Sequence, residues 1–541
     1  MKGTLISLLC FLLLASTTRV KAQFYYNNNG NGTCSVTSYE GPPWDVTIPT
    51  NFNGLSVTGI GADAFMQCAN LTRVTIPGSI TSIGNNAFYA CTSLTNVTMS
   101  NGVAGIGTYA FWECTNLTGV MIPGSVTNIG NYAFDNCTSL SNVIISNGVT
   151  SIGSEAFENC SELISVTVPG SVTNIGDSAF YMCYSLTGFT IPTNLGNIGN
   201  NVFESCQRLT NIIIPGSVTN IGSAAFDGCR SLTNLTIPDS VTSLGSEAFE
   251  NCVSLSVVTI PSSVTNIGAF AFGGCAGLTG IAIPGGITSI ADYVFENCIN
   301  LASVTIPSSV TNIGVEAFED CRLTSITIPD SVTSIGAYAF NGCTGLTSVA
   351  IPGSVASLGA DAFSGCSSLT NFIISNGVVS IGEAAFIGCE NLRRLTIPGS
   401  VTNIGSYAFE FCTSLTNVYF AGNAPHADST VFADDSHVTG YYLPDTTGWS
   451  SFPANSGLSL VLWNPLVQTT DGSFGVHDNQ LGFTITGAAN LPVAVQACTN
   501  LTTGAWTSME SCVLTNGSIY FIDPSWTNYA KRFYRISYPC P

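Results

Sequence analysis

The chain has 541 residues, 55 of them glycine, with only 8% charged, which suits a regular repetitive array better than two or three ordinary globular domains. Its 12 basic and 32 acidic residues give a formal net charge of -20. Phosphate backbones and anionic lipid surfaces are therefore repelled, and nucleic acid is excluded as a natural partner.

Met1-Lys2, an apolar run over residues 5–15 and Val20-Lys21-Ala22 before Gln23 read as an export signal, 1–22, cleaved after Ala22. The run is too short to span a bilayer, and Leu8-Leu9-Cys10 lacks the small residues of a lipoprotein cleavage site. With no second hydrophobic span, the expected protein is secreted, either extracellular or cell-surface associated. Residues 23–60 resemble the later repeat in an irregular form. Tyr25-Tyr26-Asn27-Asn28-Asn29-Gly30 reads as strand and turn, and Val46-Thr47-Ile48-Pro49 anticipates the repeat, so this segment is the expected N-terminal cap.

The repeat occupies 61–420. Its phenylalanines run from Phe65 to Phe409 in sixteen units stepping by 23 residues, except for one step of 22 at Cys321-Arg322-Leu323. The lost residue falls in a connector, so the core register is expected to survive it. Each unit has a strand such as Leu140-Ser141-Asn142-Val143-Ile144-Ile145, apolar at positions 1, 4 and 6. A turn comes next, Pro-Gly-Ser as at Pro123-Gly124-Ser125 or Ser-Asn-Gly as at Ser146-Asn147-Gly148. Then come Val-Thr-x-Ile-Gly and an x-x-Ala-Phe-x-x-Cys segment, whose i, i+3 spacing predicts one helical or 3₁₀ turn. A single unit buries too little apolar surface to offset the entropy of ordering it, so the units must stack on one another.

The pattern Leu-x-x-Val-x-Ile-Pro-x-Ser-Val-Thr-x-Ile-Gly-x-x-Ala-Phe-x-x-Cys resembles the BspA-like leucine-rich repeat family over roughly residues 61–420. The resemblance implies a leucine-rich-repeat solenoid with a parallel sheet, secreted or surface-exposed, with adhesion to proteins or other cells and no shared catalytic site. Ser125 stands where many leucine-rich repeats have Asn, which puts the usual asparagine ladder in question.

Binding has to fall on the presented strand positions. Position 5 is mostly Thr, a good strand former at a half-exposed site, and apolar residues interrupt it. The candidate ligand face comprises Arg73, Met121, Ile144, Thr167, Thr190, Ile213, Thr236, Thr259, Thr305, Ile373, Arg394 and Tyr419. Acids such as Glu155, Asp227, Glu250 and Glu316 fall between Ile-Gly and Cys, where they solvate the opposite side. The repeat cysteines, Cys68 to Cys412, read as a ladder of small buried apolar residues. Stacked Cβ vectors run parallel and do not converge as a disulfide requires, and the array holds no Cys-x-x-Cys pair and no His to make a metal site.

Residues 421–465 leave the period and read as a C-terminal cap. Its His426, Asp428, Asp434, Asp435 and His437 belong to an acidic loop rather than a metal site. Short alternating strands over 466–541 predict a small all-β, sandwich-like domain. Cys498-Thr499-Asn500-Leu501, Trp506, Asp523-Pro524 and Arg532-Phe533-Tyr534-Arg535 resemble C-terminal modules of secreted Verrucomicrobia-type proteins. Cys498 and Cys512 are the candidate disulfide, on neighbouring strands, while Cys34 and Cys540 have no evident partner.

His426, His437 and His477 stand beside no nucleophile motif, and no phosphate- or dinucleotide-binding loop occurs. No catalytic residue, cofactor or metal is expected. The function expected is a monomeric protein-binding or adhesion scaffold presenting the strand face to an extracellular protein or glycan. The alternative is a structural spacer or envelope component with no specific ligand.

Overall fold

The structure, a computed structural model, describes residues 23–41, 44–435, 437–501 and 505–537. The expected export signal and Cys540 lie outside the described residues. Two compact units, Met1–Leu186 and Thr187–Pro541, are taken in turn.

In the first unit Gln23–Asn28 and Thr33–Glu40 form an antiparallel hairpin, and Thr33–Glu40 runs parallel to Leu55–Ile60. From there the chain winds in coils that build two parallel sheets. The strands Arg73–Ile76, Asn96–Met99, Gly119–Ile122, Asn142–Ile145 and Ser165–Thr167 make one sheet. The Val-Thr-x-Ile stretch adds a second, of two-residue strands: Ser82–Ile83, Gly105–Ile106, Asn128–Ile129, Ser151–Ile152 and Asn174–Ile175. Both keep equivalent residues opposite one another, as Val120 with Val143 and Ile129 with Ile152.

The x-x-Ala-Phe-x-x-Cys segment is not helical, which corrects the expectation from its spacing. It closes the coil as successive turns, with Asp135 N donating to Tyr132 O at 3.3 Å and Cys137 N to Phe134 O at 3.3 Å. Tyr132 and Asn136 sit in the left-handed region at φ 56° and 59°. That conformation swings alternate amides along the stacking axis: Tyr132 N, Phe134 N and Asn136 N reach Ser154 O, Ala156 O and Glu158 O at 2.9, 2.8 and 3.0 Å. A helical turn keeps its hydrogen bonds inside the segment and leaves this third wall unpaired between coils.

The core between the walls repeats with the coil. Phe65, Phe88, Phe111, Phe134, Phe157 and Phe180 are fully buried and stack with centroids 4.8, 5.0, 5.0, 5.3 and 5.5 Å apart. The repeat thiols do more than fill space. Cys137 Sγ donates to Phe111 O at 3.2 Å and Cys160 Sγ to Phe134 O at 3.3 Å, a bond repeated along both units. Burial pushes the Cys160 and Cys252 thiols up, and that of Cys298 to about 12. The turn serine takes the ladder role asked of asparagine: Ser125 Oγ donates to Val103 O at 2.7 Å and accepts from Gly102 N at 2.9 Å. The glycine after Ile lies against the coil before it, and a Cβ on Gly130 would stand 2.6 Å from Gly107 C.

The second unit repeats the design, with local departures, among them a break of the strand sheet between Asn371–Ile374 and Arg394–Ile397. Both sheets stop between the coil of Val257–Thr259 and that of Gly280–Ala282, where Ala291 occupies the usual glycine position. Phe272 and Phe295 stand 5.8 Å apart there, wider than the 5.5 Å of the joints on either side, while the wall of turns continues through Phe272 N to Val294 O at 3.0 Å. At the 22-residue step the core register does survive, Phe318 lying 5.3 Å from Phe340 and Asn312 pairing with Ser334. The outer strand pays for the missing residue: no strand forms over 325–328 among the described residues.

Past the last full repeat Phe432 extends the stack 5.4 Å beyond Phe409, and Thr439–Tyr442 and Ser459–Leu462 extend the sheet from Asn417–Phe420. Trp449 and Phe452, the latter opening the short helix Phe452–Ser456, pack edge-on against Phe420 at 5.1 and 5.3 Å. The C-terminal domain consists of two antiparallel sheets. One contains Leu466–Val467, Gly475–His477, Gln480–Thr486 and Ser518–Asp523, and the other Leu491–Cys498, Thr507–Leu514 and Phe533–Ser537. Their shared core, with Phe483, Val493, Val495 and Phe521, is continuous with Tyr419, Tyr441 and Trp463 of the array. Asp523 is fully buried and satisfied by Arg532 at 2.7 Å and the Tyr534 hydroxyl at 2.6 Å.

The Cys498–Cys512 pairing is corrected by register. The two strands are neighbours, but Cys512 stands opposite Val493 and Ala497 opposite Thr507, and both thiols are free. Five residues of strand separate the two positions by about 17 Å, more than twice the reach of a disulfide.

Candidate ligand-binding face

Alternation along each strand decides what is presented. Val143 and Ile145 point into the core, 0% and 2% exposed, while Asn142 and Ile144 between them face out. Stacking in register then lines up equal positions from coil to coil. In the first unit Met121 lies beside Ile144 and Ile144 beside Thr167, with Arg73 beside Asn96 in the neighbouring row. In the second unit Thr190 adjoins Ile213, Thr236 adjoins Thr259, Ala282 adjoins Thr305, and Ala350 adjoins Ile373.

Of the sequence-derived face residues, Arg73, Thr167, Thr190, Thr236, Thr259, Thr305 and Arg394 are exposed and Ile144 is half-buried. The apolar interruptions stand clear of the surface, with Met121 at 58% exposure, Ile213 at 82% and Ile373 at 40%. Val257, 58% exposed at position 3, belongs with them. Its signal was an apolar residue in a slot otherwise held by Asn, Gly, Ser or Arg. Tyr419 does not belong to the open face. Its backbone is at position 5, but the C-terminal domain covers it to 3% exposure and it stacks on Tyr441 at 5.2 Å. The strandless stretch 325–328 opens a hollow of about 250 Å³ on the same face, bordered by Thr327 and Ile373.

The wall of turns carries the acids. Asp135 accepts from Trp112 Nε1 at 2.8 Å and from Asn136 Nδ2 at 2.9 Å, and burial still pushes its carboxyl up to about 6. Burial first, then neighbouring acids, pushes Glu250 up to about 7, and burial with a hydrogen bond to Glu319 does the same to Glu316. Glu296, Glu316 and Glu319 bring carboxylate oxygens within 4.8 Å of one another, and burial first, then repulsion from Glu319, pushes Glu296 and Glu316 up. In the loop after the array the acids act locally: Asp428 accepts from Ser406 Oγ at 2.6 Å and from Thr430, which holds it below the usual carboxylate range. His437 and His477 are exposed, and the His426 carbonyl accepts from Ile404 N at 2.9 Å.

A stack of 23-residue coils with a parallel strand face defines a leucine-rich-repeat solenoid. The BspA type leucine-rich repeat region (6 copies) matches residues 58–187, 129–256, 196–323 and 311–439, and the chain belongs to this family. Its members are generally surface and protein-interaction scaffolds. A leucine-rich repeat protein from Bacteroides ovatus is 29% identical, covers 73% of this chain and 98% of its own, and has a TM-score of 0.60, which places both in one fold. A leucine rich cell surface protein from Faecalibacterium prausnitzii is 26% identical over 81% of this chain and 96% of its own, with a TM-score of 0.29. A leucine-rich repeat protein from Eubacterium ventriosum is 25% identical over 57% of this chain and 90% of its own, with a TM-score of 0.38. No curated protein matches the chain. Among the described residues no helix is long and apolar enough to cross a membrane.

Proposed function

We propose that this chain is a secreted, cell-surface-associated adhesion scaffold whose strand face docks an extracellular protein. The observation that carries the reading is Ile213, 82% exposed on a row of threonines, with Val257 on the same sheet 58% exposed. A branched apolar side chain held in water on a rigid sheet costs solvation without packing return, and buried in a partner it contributes about 1.5–3 kcal/mol. Thr236 and Thr259, paired in register nearby, supply a flat polar surround of the kind that rims an apolar anchor. In this proposal residues 23–60 and 421–465 act as the caps that keep the ends of the stack from associating, leaving the face as the interacting surface.

The full chain is immobilised and titrated with purified extracellular-matrix proteins and with matrix glycans. The expected result is saturable binding of a protein that is lost in an Ile213→Glu, Thr236→Arg variant with an unchanged melting profile. Saturable binding of glycans alone would replace the protein reading with a carbohydrate one. Binding that is indifferent to both substitutions would rule out the strand face as the docking surface.

A further inference from the structure

The open face ends where the C-terminal domain meets the array, and the junction is not closed. Between the strands Arg394–Ile397 and Asn417–Phe420 and the hairpin of Leu491–Cys498 with Thr507–Leu514 lies a cleft of about 340 Å³. Arg393, Arg394 and Asn417 line it from the array, and Ser511 and Val513 from the domain.

Three features give this cleft a chemistry of its own. The first is charge. In a chain with 12 basic residues against 32 acidic ones, Arg393 and Arg394 are its one pair of adjacent arginines, and both are exposed. The Arg393 guanidinium has no ion-pair partner among the described residues, whereas Arg532 is committed to Asp523 and Arg535 to Gln496 and the Trp506 ring.

The second is a fixed floor. The Tyr419 and Tyr441 rings stack at 5.2 Å, Trp463 Nε1 donates to Pro492 O at 2.8 Å across the junction, and Thr416 Oγ1 donates to Asn417 Oδ1 at 2.6 Å and to Arg393 O at 3.1 Å. The third is an edge. Thr507–Leu514 is eight residues long and pairs on one side with Leu491–Cys498; among the described residues its other side has no strand. A long edge with free backbone donors and acceptors is a template for an added strand. Guanidinium groups beside it select for carboxylates.

We propose that this cleft binds an extended acidic peptide, which adds as a strand along Thr507–Leu514 and places a side-chain carboxylate between Arg393 and Arg394. The free edge favours a peptide over an acidic sugar, because a sugar offers no ladder of amides to pair with it. The site shares no residue with the Ile213–Thr236 region, so the two can fail separately.

The test uses the full chain and a fluorescein-labelled octapeptide of alternating Glu and Val, with binding read by fluorescence polarisation. Controls are the same peptide with Gln for Glu, the same peptide with alternate amides N-methylated, and an oligoglucuronate competitor. The expected result is saturable binding, weakened about tenfold or more by Arg393→Gln with Arg394→Gln and by the Gln peptide, steeply reduced at high salt, and lost on N-methylation. The Ile213→Glu, Thr236→Arg variant should bind this peptide normally. Circular dichroism melting of the arginine variant, unchanged from the parent, separates loss of the site from loss of the fold. Absence of saturable binding, indifference to the arginine substitutions, or equal binding of the N-methylated peptide would overturn the proposal. Full competition by oligoglucuronate at matched charge would reassign the cleft to acidic sugars.

Discussion

Restoring glycine at position 291 should strengthen the array. In the flanking coils Gly245, Gly268, Gly314 and Gly336 occupy this position, and a Cβ on each would stand 2.5, 2.4, 2.5 and 2.6 Å from atoms of the coil before. Ala291 carries that methyl, so its coil cannot approach as closely. Intact joints carry Gly268 N to Leu244 O at 3.0 Å and Thr265 N to Thr242 O at 3.0 Å. The equivalents from Ala291 N to Ile267 O and from Thr288 N to Thr265 O are absent among the described residues. Two regained backbone hydrogen bonds are worth about 1 kcal/mol each, against about 0.5–1 kcal/mol for the added freedom of glycine in the unfolded chain. Ala291→Gly should therefore stabilise the joint by about 1–1.5 kcal/mol. Gly245→Ala, forcing a methyl into an intact joint, should cost about 1–3 kcal/mol. Amide hydrogen exchange resolves the effect locally: protection at Thr288 and residue 291 should rise in the first variant, with the urea midpoint of the full chain moving upward. Unchanged exchange together with a neutral or lower midpoint would refute the claim that this methyl holds the sheets apart.

Other perturbations probe the remaining parts. Phe249, fully buried and stacked 5.3 and 5.5 Å from its neighbours, should lose about 3–5 kcal/mol as Phe249→Ala, and Phe249→Leu should recover much of it by refilling the space; both are read from urea denaturation. The repeat thiols other than the half-buried Cys68 should resist Ellman's reagent in the folded chain and react on unfolding, because they are buried, which raises the Cys298 pKa to about 12. Fast reaction of the native chain would contradict their place in the core. Non-reducing peptide mapping should find no Cys498–Cys512 bridge, since register separates the two. Folded-state pKa values raised to about 7 at Glu250, Glu316 and Asp435, and to about 6 at Asp135, make the protonated forms the better-folded ones. Their contribution is fully present below the ordinary carboxylate range and is lost as pH rises through about 7, so the melting temperature should be higher at pH 5 than at pH 7.5. A fall on acidification over that window would reverse the sign.

The period, the Phe stack and the buried cysteines were legible because each is a demand repeated in every coil. The wall of turns was not, since an i, i+3 pair of Phe and Cys fits a helical turn and a β-turn alike. The deciding signal was the residue two after Phe, often Asn or Gly, as at Asn136, Asn159, Gly228 and Asn251, all at positive φ. The hydrogen bonds of the thiols were hidden because their acceptors are main-chain carbonyls one coil back. Tyr419 misled for a different reason: its strand position is that of an outward residue, and what covers it comes from the far end of the chain. Cys498 and Cys512 likewise depended on hairpin register, which spacing along the sequence does not set. Ala291 was visible as a break in Ile-Gly, but its effect rests on a contact between coils.

The most direct test of adhesion through the strand face compares two faces of one molecule. A partner protein captured by the full chain is titrated against a strand-face variant, Ile213→Glu with Val257→Glu, and a turn-wall variant, Glu250→Gln with Glu316→Gln. The strand-face variant should lose binding by at least tenfold and the turn-wall variant should keep it. Equal loss in both, or loss in the turn-wall variant alone, would contradict docking through the strands.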